Sequence, residues 1–113
     1  MIIAKQFSFD AAHVLPDHPG KCSRLHGHTY KLEIMLEGPI QANGMVFDFF
    51  ELKKIVSEKV LDRLDHTFIN DLIMPSTVEK ITVWIWNELS PLLPLAQVTL
   101  WETPTSFAVY KGV

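Results

Sequence analysis

Residues 26–37 alternate between two faces: His26, His28, Tyr30, Leu32, Ile34 and Leu36 share one parity, and Lys31, Glu33 and Glu37 share the other. Period two is the signature of a strand, and here it puts two imidazoles on the same face as an apolar ladder. Residues 2–13 show a similar pattern, with Ile3, Phe7, Phe9, Ala11 and His13 on one parity, although Lys5 interrupts it. His13 therefore ends a strand on its more apolar face. Between these strands, Pro16, Asp17, Pro19 and Gly20 predict an irregular loop, with Cys22 late in it.

Downstream, Gly38-Pro39 breaks the second strand and Asn43-Gly44 signals a turn. Asp48-Phe-Phe-Glu51 predicts a capping box, opening a helix that carries Leu52, Ile55, Val56, Val60 and Leu64 at helical spacing. Residues 65–75 form a connector. Ser76-Thr-Val-Glu79 predicts a second capping box and a helix to about Leu89, stopped by Ser90-Pro91. Residues 97–102 and 107–111 then predict two closing strands around Pro104. The order β-β-α-α-β-β is α+β with an antiparallel sheet. At 113 residues the chain is expected to be a single domain spanning 1–113.

Composition narrows the function classes. Hydrophobic residues at 48% supply a core, and 20% charged residues argue against disorder. A net charge of −3 with no basic stripe disfavours nucleic acid as a partner. No apolar run approaches a membrane span, and the first residues lack the pattern of a secretory signal. One cysteine cannot form an intrachain disulfide, which fits a reducing compartment. The expected location is the cytoplasm. The many apolar residues of so short a chain also point to a homo-oligomer.

Three histidines carry the chemistry. Two strands can place His13 across from His26-Gly-His28, and three neutral imidazoles leave a tetrahedral ion one open position. Zn²⁺ suits such ligands; Fe²⁺, Ni²⁺ and Co²⁺ are compatible with them. Gly27 between the ligands implies close backbone approach or a face that must stay empty. Cys22, beside Lys21 and Arg24, is placed for a lowered pKa. It reads either as a fourth ligand closing the site or as a base or nucleophile beside it. Asp65-His66 can pair a carboxylate with an imidazole. Glu102, at a strand end, can bind a guanidine-like edge through paired hydrogen bonds. His18 reads as an ordinary surface histidine.

These segments resemble the 6-pyruvoyl-tetrahydropterin synthase superfamily, and within it the 6-carboxy-tetrahydropterin synthases of the queuosine pathway. The matching stretches are Phe9-Asp-Ala-Ala-His13, Cys22-Ser-Arg-Leu-His-Gly-His28, Gly44-Met-Val-Phe-Asp-Phe49, Leu64-Asp-His66, Phe68-Ile-Asn70, Ser76-Thr-Val-Glu79 and Trp101-Glu-Thr-Pro-Thr-Ser106. The resemblance implies the tunnelling fold (T-fold), a four-stranded antiparallel sheet with two helices between strands 2 and 3. It also implies a trimer or stacked hexamer with active sites between subunits.

By the same resemblance, His13, His26 and His28 hold Zn²⁺. Cys22, Asp65 and His66 form the proton-transfer set, with Cys22 from a different subunit than the other two. Glu102 anchors the pterin, and Thr103, Thr77 and Glu79 line the pocket. The implied substrate is 7,8-dihydroneopterin triphosphate. The implied products are 6-carboxy-5,6,7,8-tetrahydropterin, acetaldehyde and triphosphate. The same residues would serve a 6-pyruvoyl-forming enzyme, and a non-catalytic zinc module is a further alternative. Val78 departs from relatives with a hydroxyl residue there, so any contact at that position comes from backbone. Lys21, Arg24 and Lys31 are the candidates for the triphosphate.

Overall fold

The computed structural model describes residues 1–113. Two long strands, β1 (Ile2–His13) and β2 (His26–Glu37), pair antiparallel in register from Ile2–Glu37 to His13–His26. The sheet continues with β3 (Leu95–Thr103) and β4 (Ser106–Tyr110), in the order β1-β2-β3-β4. Both closing strands extend slightly beyond their expected bounds at the N-terminal end.

Two helices fill the interval between β2 and β3. The first, α1, runs from Phe49–Val56 through a π-helical turn at Ser57–Leu61 to a last α-turn at Asp62–Leu64. Asp48 caps it, its side chain accepting from the Phe50 N–H at 2.9 Å. The second, α2, spans Val78–Leu89. Its cap is Thr77, not Ser76: the Thr77 hydroxyl accepts from the Lys80 N–H, and Ser76 is fully buried one step upstream. The Ser-Thr-Val-Glu pattern offers two adjacent hydroxyls, and burial of the first leaves the second to cap. The expected Asn43-Gly44 turn forms, with Gly44 at φ 85°, a conformation that glycine adopts without steric cost.

The apolar parity of β1 and β2 faces the helices. Leu32, Ile34 and Leu36 are fully buried against Leu52, Val56 and Val60 of α1 and Ile81, Ile85 and Leu89 of α2. Each such side chain contributes about 1.5–3 kcal/mol relative to exposure. The other face is polar and aromatic: Gln6 donates to Glu33, and Lys31 lies over Trp101, which packs beside Phe107. This sheet-and-helix layering fixes which side chains can meet. No helix is long and apolar enough to cross a membrane.

Candidate metal centre and its surroundings

The core face of the sheet ends in imidazoles because the alternation that buries Leu32 and Tyr30 continues through His28 to His26. Pairing His13 with His26 closes the set. One ring nitrogen from each of His13, His26 and His28 lies within 4.8 Å of the other two. The rings meet edge to face, with centroids 4.6–5.1 Å apart.

Backbone carbonyls orient two of the rings. His13 Nδ1 sits 2.7 Å from the Ser76 carbonyl oxygen, and His26 Nδ1 sits 2.7 Å from the Arg24 carbonyl oxygen. A ring that donates Nδ1–H to a carbonyl presents a bare Nε2, the arrangement found around ligating histidines. His13 Nε2 and His28 Nε2 are buried and have no hydrogen-bond partner. Burial holds His28 below its ordinary value; the Glu102 charge opposes this, and His13 and His26 reinforce it. Three convergent imidazoles, two of them with buried and unpartnered Nε2 atoms, fit a divalent ion, and the donor set is nitrogen only.

The expected pocket residues divide into several groups. Glu102 reaches the metal face, with Oε1 3.9 Å from His28 Nε2. Cys22 is half-buried on a short 3₁₀ turn, Lys21–Ser23, and stands outside the imidazole cluster. Its carbonyl, not its thiol, is tied down, accepting from the Leu15 N–H. Thr77 caps α2, and Glu79 is exposed in its first turn. The Thr103 hydroxyl accepts from the Thr105 and Ser106 N–H groups in the β3–β4 turn, so it is spent locally. Thr103 lines a cleft with Thr29, Lys31, Trp101 and Pro104, on the opposite side from the imidazoles. Lys31 is thereby separated from the metal face as well.

Asp65 and His66 lie elsewhere again, along the outer edge of β1. The Asp10 N–H donates to Asp65 Oδ1 at 2.9 Å, the His66 N–H donates to the Asp10 carbonyl, and the Ala12 N–H donates to the Thr67 carbonyl. The segment thus borrows the free edge of the strand. His66 has φ 59°, an unusual backbone for a residue with a Cβ. Its Nδ1 is 3.0 Å from Asp65 Oδ1, and its side chain is 79% exposed. The Asp10 hydrogen bond is the main reason the Asp65 carboxyl is held below the usual carboxylate range; His66 adds to it. A cleft of about 700 Å³ opens beside His66, floored by Gly27 and walled by Leu25 and Phe68. A Cβ at Gly27 would approach the Ala11 carbonyl at 3.4 Å, so the glycine keeps this floor low. Asp65 and His66 thus group with Asp10 rather than with the three imidazoles, although His28 also lines the cleft beside His66.

Three participants carried no signal of their role. Asn70 clamps Val14 from both sides, accepting from its N–H and donating to its carbonyl, and this anchors the residue after His13. Ser76 donates to Asn70 and backs His13. Tyr30, apparently one more core residue, buries a hydroxyl with no partner. Burial, and then the Glu102 charge, push this phenol up.

The family model for 6-pyruvoyl tetrahydropterin synthase matches residues 2–113. The chain belongs to the 6-pyruvoyl tetrahydropterin synthase family. A relative from Haemophilus influenzae, named 6-carboxy-5,6,7,8-tetrahydropterin synthase, is 39% identical over 96% of this chain and 97% of its own. A Pyrococcus furiosus relative named dihydroneopterin monophosphate aldolase is 40% identical over 84% and 83%. The structure of Caenorhabditis elegans 6-pyruvoyl tetrahydropterin synthase superposes with a TM-score of 0.91 at 30% identity, covering 100% of this chain and 96% of that one. The tunnelling fold expected from the motifs is the fold of this tetrahydropterin synthase family member. In this chain the imidazole placement follows from one continuous β1–β2 ladder.

Proposed function

We propose that this chain, acting as one domain over residues 1–113, is an enzyme, a zinc-dependent carbon–oxygen lyase. It converts 7,8-dihydroneopterin triphosphate and water to 6-carboxy-5,6,7,8-tetrahydropterin, acetaldehyde and triphosphate, a step toward queuosine. The observation that carries this reading is the pair of buried, unpartnered nitrogens, His13 Nε2 and His28 Nε2, converging with His26 beside the Glu102 carboxylate. The name of the Haemophilus relative favours the carboxy product.

His13, His26 and His28 would hold the ion. When bound, Zn²⁺ supplies Lewis acidity that makes carbon-bound protons next to a substrate hydroxyl removable. Glu102 anchors the pterin through its amino and ring N–H edge, where a carboxylate accepts two parallel hydrogen bonds. Thr77, Glu79 and Thr103 belong to the pocket's rim, with Thr103 contributing through backbone because its hydroxyl is engaged in the turn. Cys22, as thiolate, removes a proton from the side chain. Asp65 orients His66, which returns a proton. Asp65 and His66, a group separate from the three imidazoles, serve the site of a neighbouring copy in a homo-oligomer (a trimer or hexamer). The expected compartment is the cytoplasm.

A second reading, release of a 6-pyruvoyl product, is favoured by the fold match to the C. elegans synthase. Mass spectrometry of products from zinc-loaded protein and 7,8-dihydroneopterin triphosphate separates the two. A 6-carboxy product with acetaldehyde supports the proposal. A 6-pyruvoyl product replaces it with the second reading. No turnover by folded, metal-loaded protein leaves a zinc module.

A further inference from the structure

Three buried side-chain atoms lack any hydrogen-bond partner: His13 Nε2, His28 Nε2 and the Tyr30 hydroxyl. A metal accounts for the first two and leaves the third unexplained. Buried hydroxyls ordinarily find a partner, so an isolated one calls for an explanation. The Tyr30 ring has little freedom to seek a partner: it is fully buried and stacked on Phe9 at 4.9 Å, with planes 11° apart.

Its neighbour across the sheet is Glu102. The β2–β3 ladder ends at the Lys31–Trp101 pair, one residue from each, and His28 lies by both, its ring 5.6 Å from the Tyr30 ring and its Nε2 3.9 Å from Glu102 Oε1. Both side chains are on the metal face, as the approach of Glu102 to His28 requires. Glu102 receives no hydrogen bond from the chain: His28 Nε2, at 3.9 Å, is beyond that range. An unpaired donor and an unpaired acceptor thus stand on adjacent strands of one face. The phenol, with an ordinary pKa near 10, is a donor at neutral pH.

We propose that Tyr30 is a positioning residue for Glu102, its hydroxyl donating to one carboxylate oxygen and fixing the orientation in which Glu102 receives the N–H edge of the pterin. A carboxylate oxygen has two acceptor sites, so it can take Tyr30 and the ligand together. This rests on the reading that Glu102 anchors a pterin. Tyr30 itself need not touch the substrate.

The test is a double-mutant cycle on zinc-loaded protein, titrated with sepiapterin, using wild type, Tyr30→Phe, Glu102→Ala and the double variant. Phe keeps the ring on Phe9, so zinc content and thermal midpoint should match wild type. Tyr30→Phe alone should weaken binding about tenfold, the size of a charge-assisted hydrogen bond. In the Glu102→Ala background the same change should alter affinity less than about twofold, because the group it acts through is gone. Equal losses in both backgrounds, unchanged affinity in the single variant, or a loss that tracks missing zinc would each overturn the proposal. Failure of wild type itself to bind sepiapterin would instead overturn the pterin reading, and this inference with it.

Discussion

His13 Nδ1 lies 2.7 Å from the Ser76 carbonyl oxygen, so the approach to α2 sets the tilt of a metal-facing imidazole at the end of β1. The two residues are 63 positions apart, and Asn70 ties them together by holding both Val14 and the Ser76 hydroxyl. The metal centre is therefore built by the connector between the helices as much as by the strands that carry its ligands.

That linkage makes Asn70 a sensitive position. Asn70→Ala removes four hydrogen bonds in a half-buried setting, to Val14 twice, Ser76 and Met74, and leaves the Val14 backbone unpaired. We expect a loss of about 1–3 kcal/mol in denaturant unfolding. Zinc affinity, measured by chelator competition, should fall about 10- to 100-fold, as is typical when the support of a ligating histidine is removed. Unchanged zinc affinity would show that His13 is held by its own strand alone.

The ligands themselves should behave differently from Cys22. His26→Ala removes one of three nitrogens and should reduce bound zinc, measured by elemental analysis after gel filtration, from about one per chain to near none. Cys22→Ala should keep full zinc while abolishing turnover, because Cys22 stands outside the imidazole cluster. Loss of zinc in Cys22→Ala would make the thiolate a fourth ligand and close the site.

The strands and their imidazoles were legible because alternation is local: the parity that buries Leu32 also aims His28, and one register places His13 opposite His26. Helix α1 was legible from its apolar spacing, but its π-helical turn at Ser57–Leu61 carried no recognisable signal. What escaped was long-range. Ser76 looked like a cap because it precedes Thr-Val-Glu, yet its surroundings are His13 and Asn70. Tyr30 looked like core because it continues the buried alternation of Leu32, Ile34 and Leu36, and alternation cannot show that one hydroxyl lacks a partner. The positive φ of His66 accompanies its backbone bond to Asp10, 56 residues away, which no local pattern encodes.

Acid should release the Asp65–His66 segment before it unfolds the sheet. The Asp65 carboxyl is held below its ordinary value, chiefly by the Asp10 N–H. A depressed carboxylate contributes stability that is present above its unfolded value, about 3.9, and is lost as pH falls through the folded value. Docking of residues 65–67 should therefore be intact at neutral pH and weaken below about pH 4. Amide exchange of the Asp10 N–H, followed as pH is lowered and corrected for intrinsic rates, reads this directly. Asp65→Asn should flatten the dependence. Protection of Asp10 that is independent of pH in the wild type would place the anchoring elsewhere.

The last prediction concerns which copy completes the site. Asp65 and His66 sit on the outer edge of β1, and His66 is 79% exposed, whereas the imidazole cluster lies on the covered face. If one copy supplies Cys22 and the metal while another supplies His66, two inactive variants can rescue each other. Cys22→Ala and His66→Ala, each inactive alone, should regain activity when unfolded together and refolded as a mixture. In a closed homo-oligomer with random mixing, roughly a quarter of sites then pair a wild-type Cys22 with a wild-type His66. About one quarter of wild-type turnover is the expected yield at equal amounts. A site completed within one chain would give no rescue, since every chain in the mixture lacks one of the two groups. The same mixture made without unfolding should stay inactive while the assemblies remain intact, so rescue that appears only after refolding requires exchange of subunits.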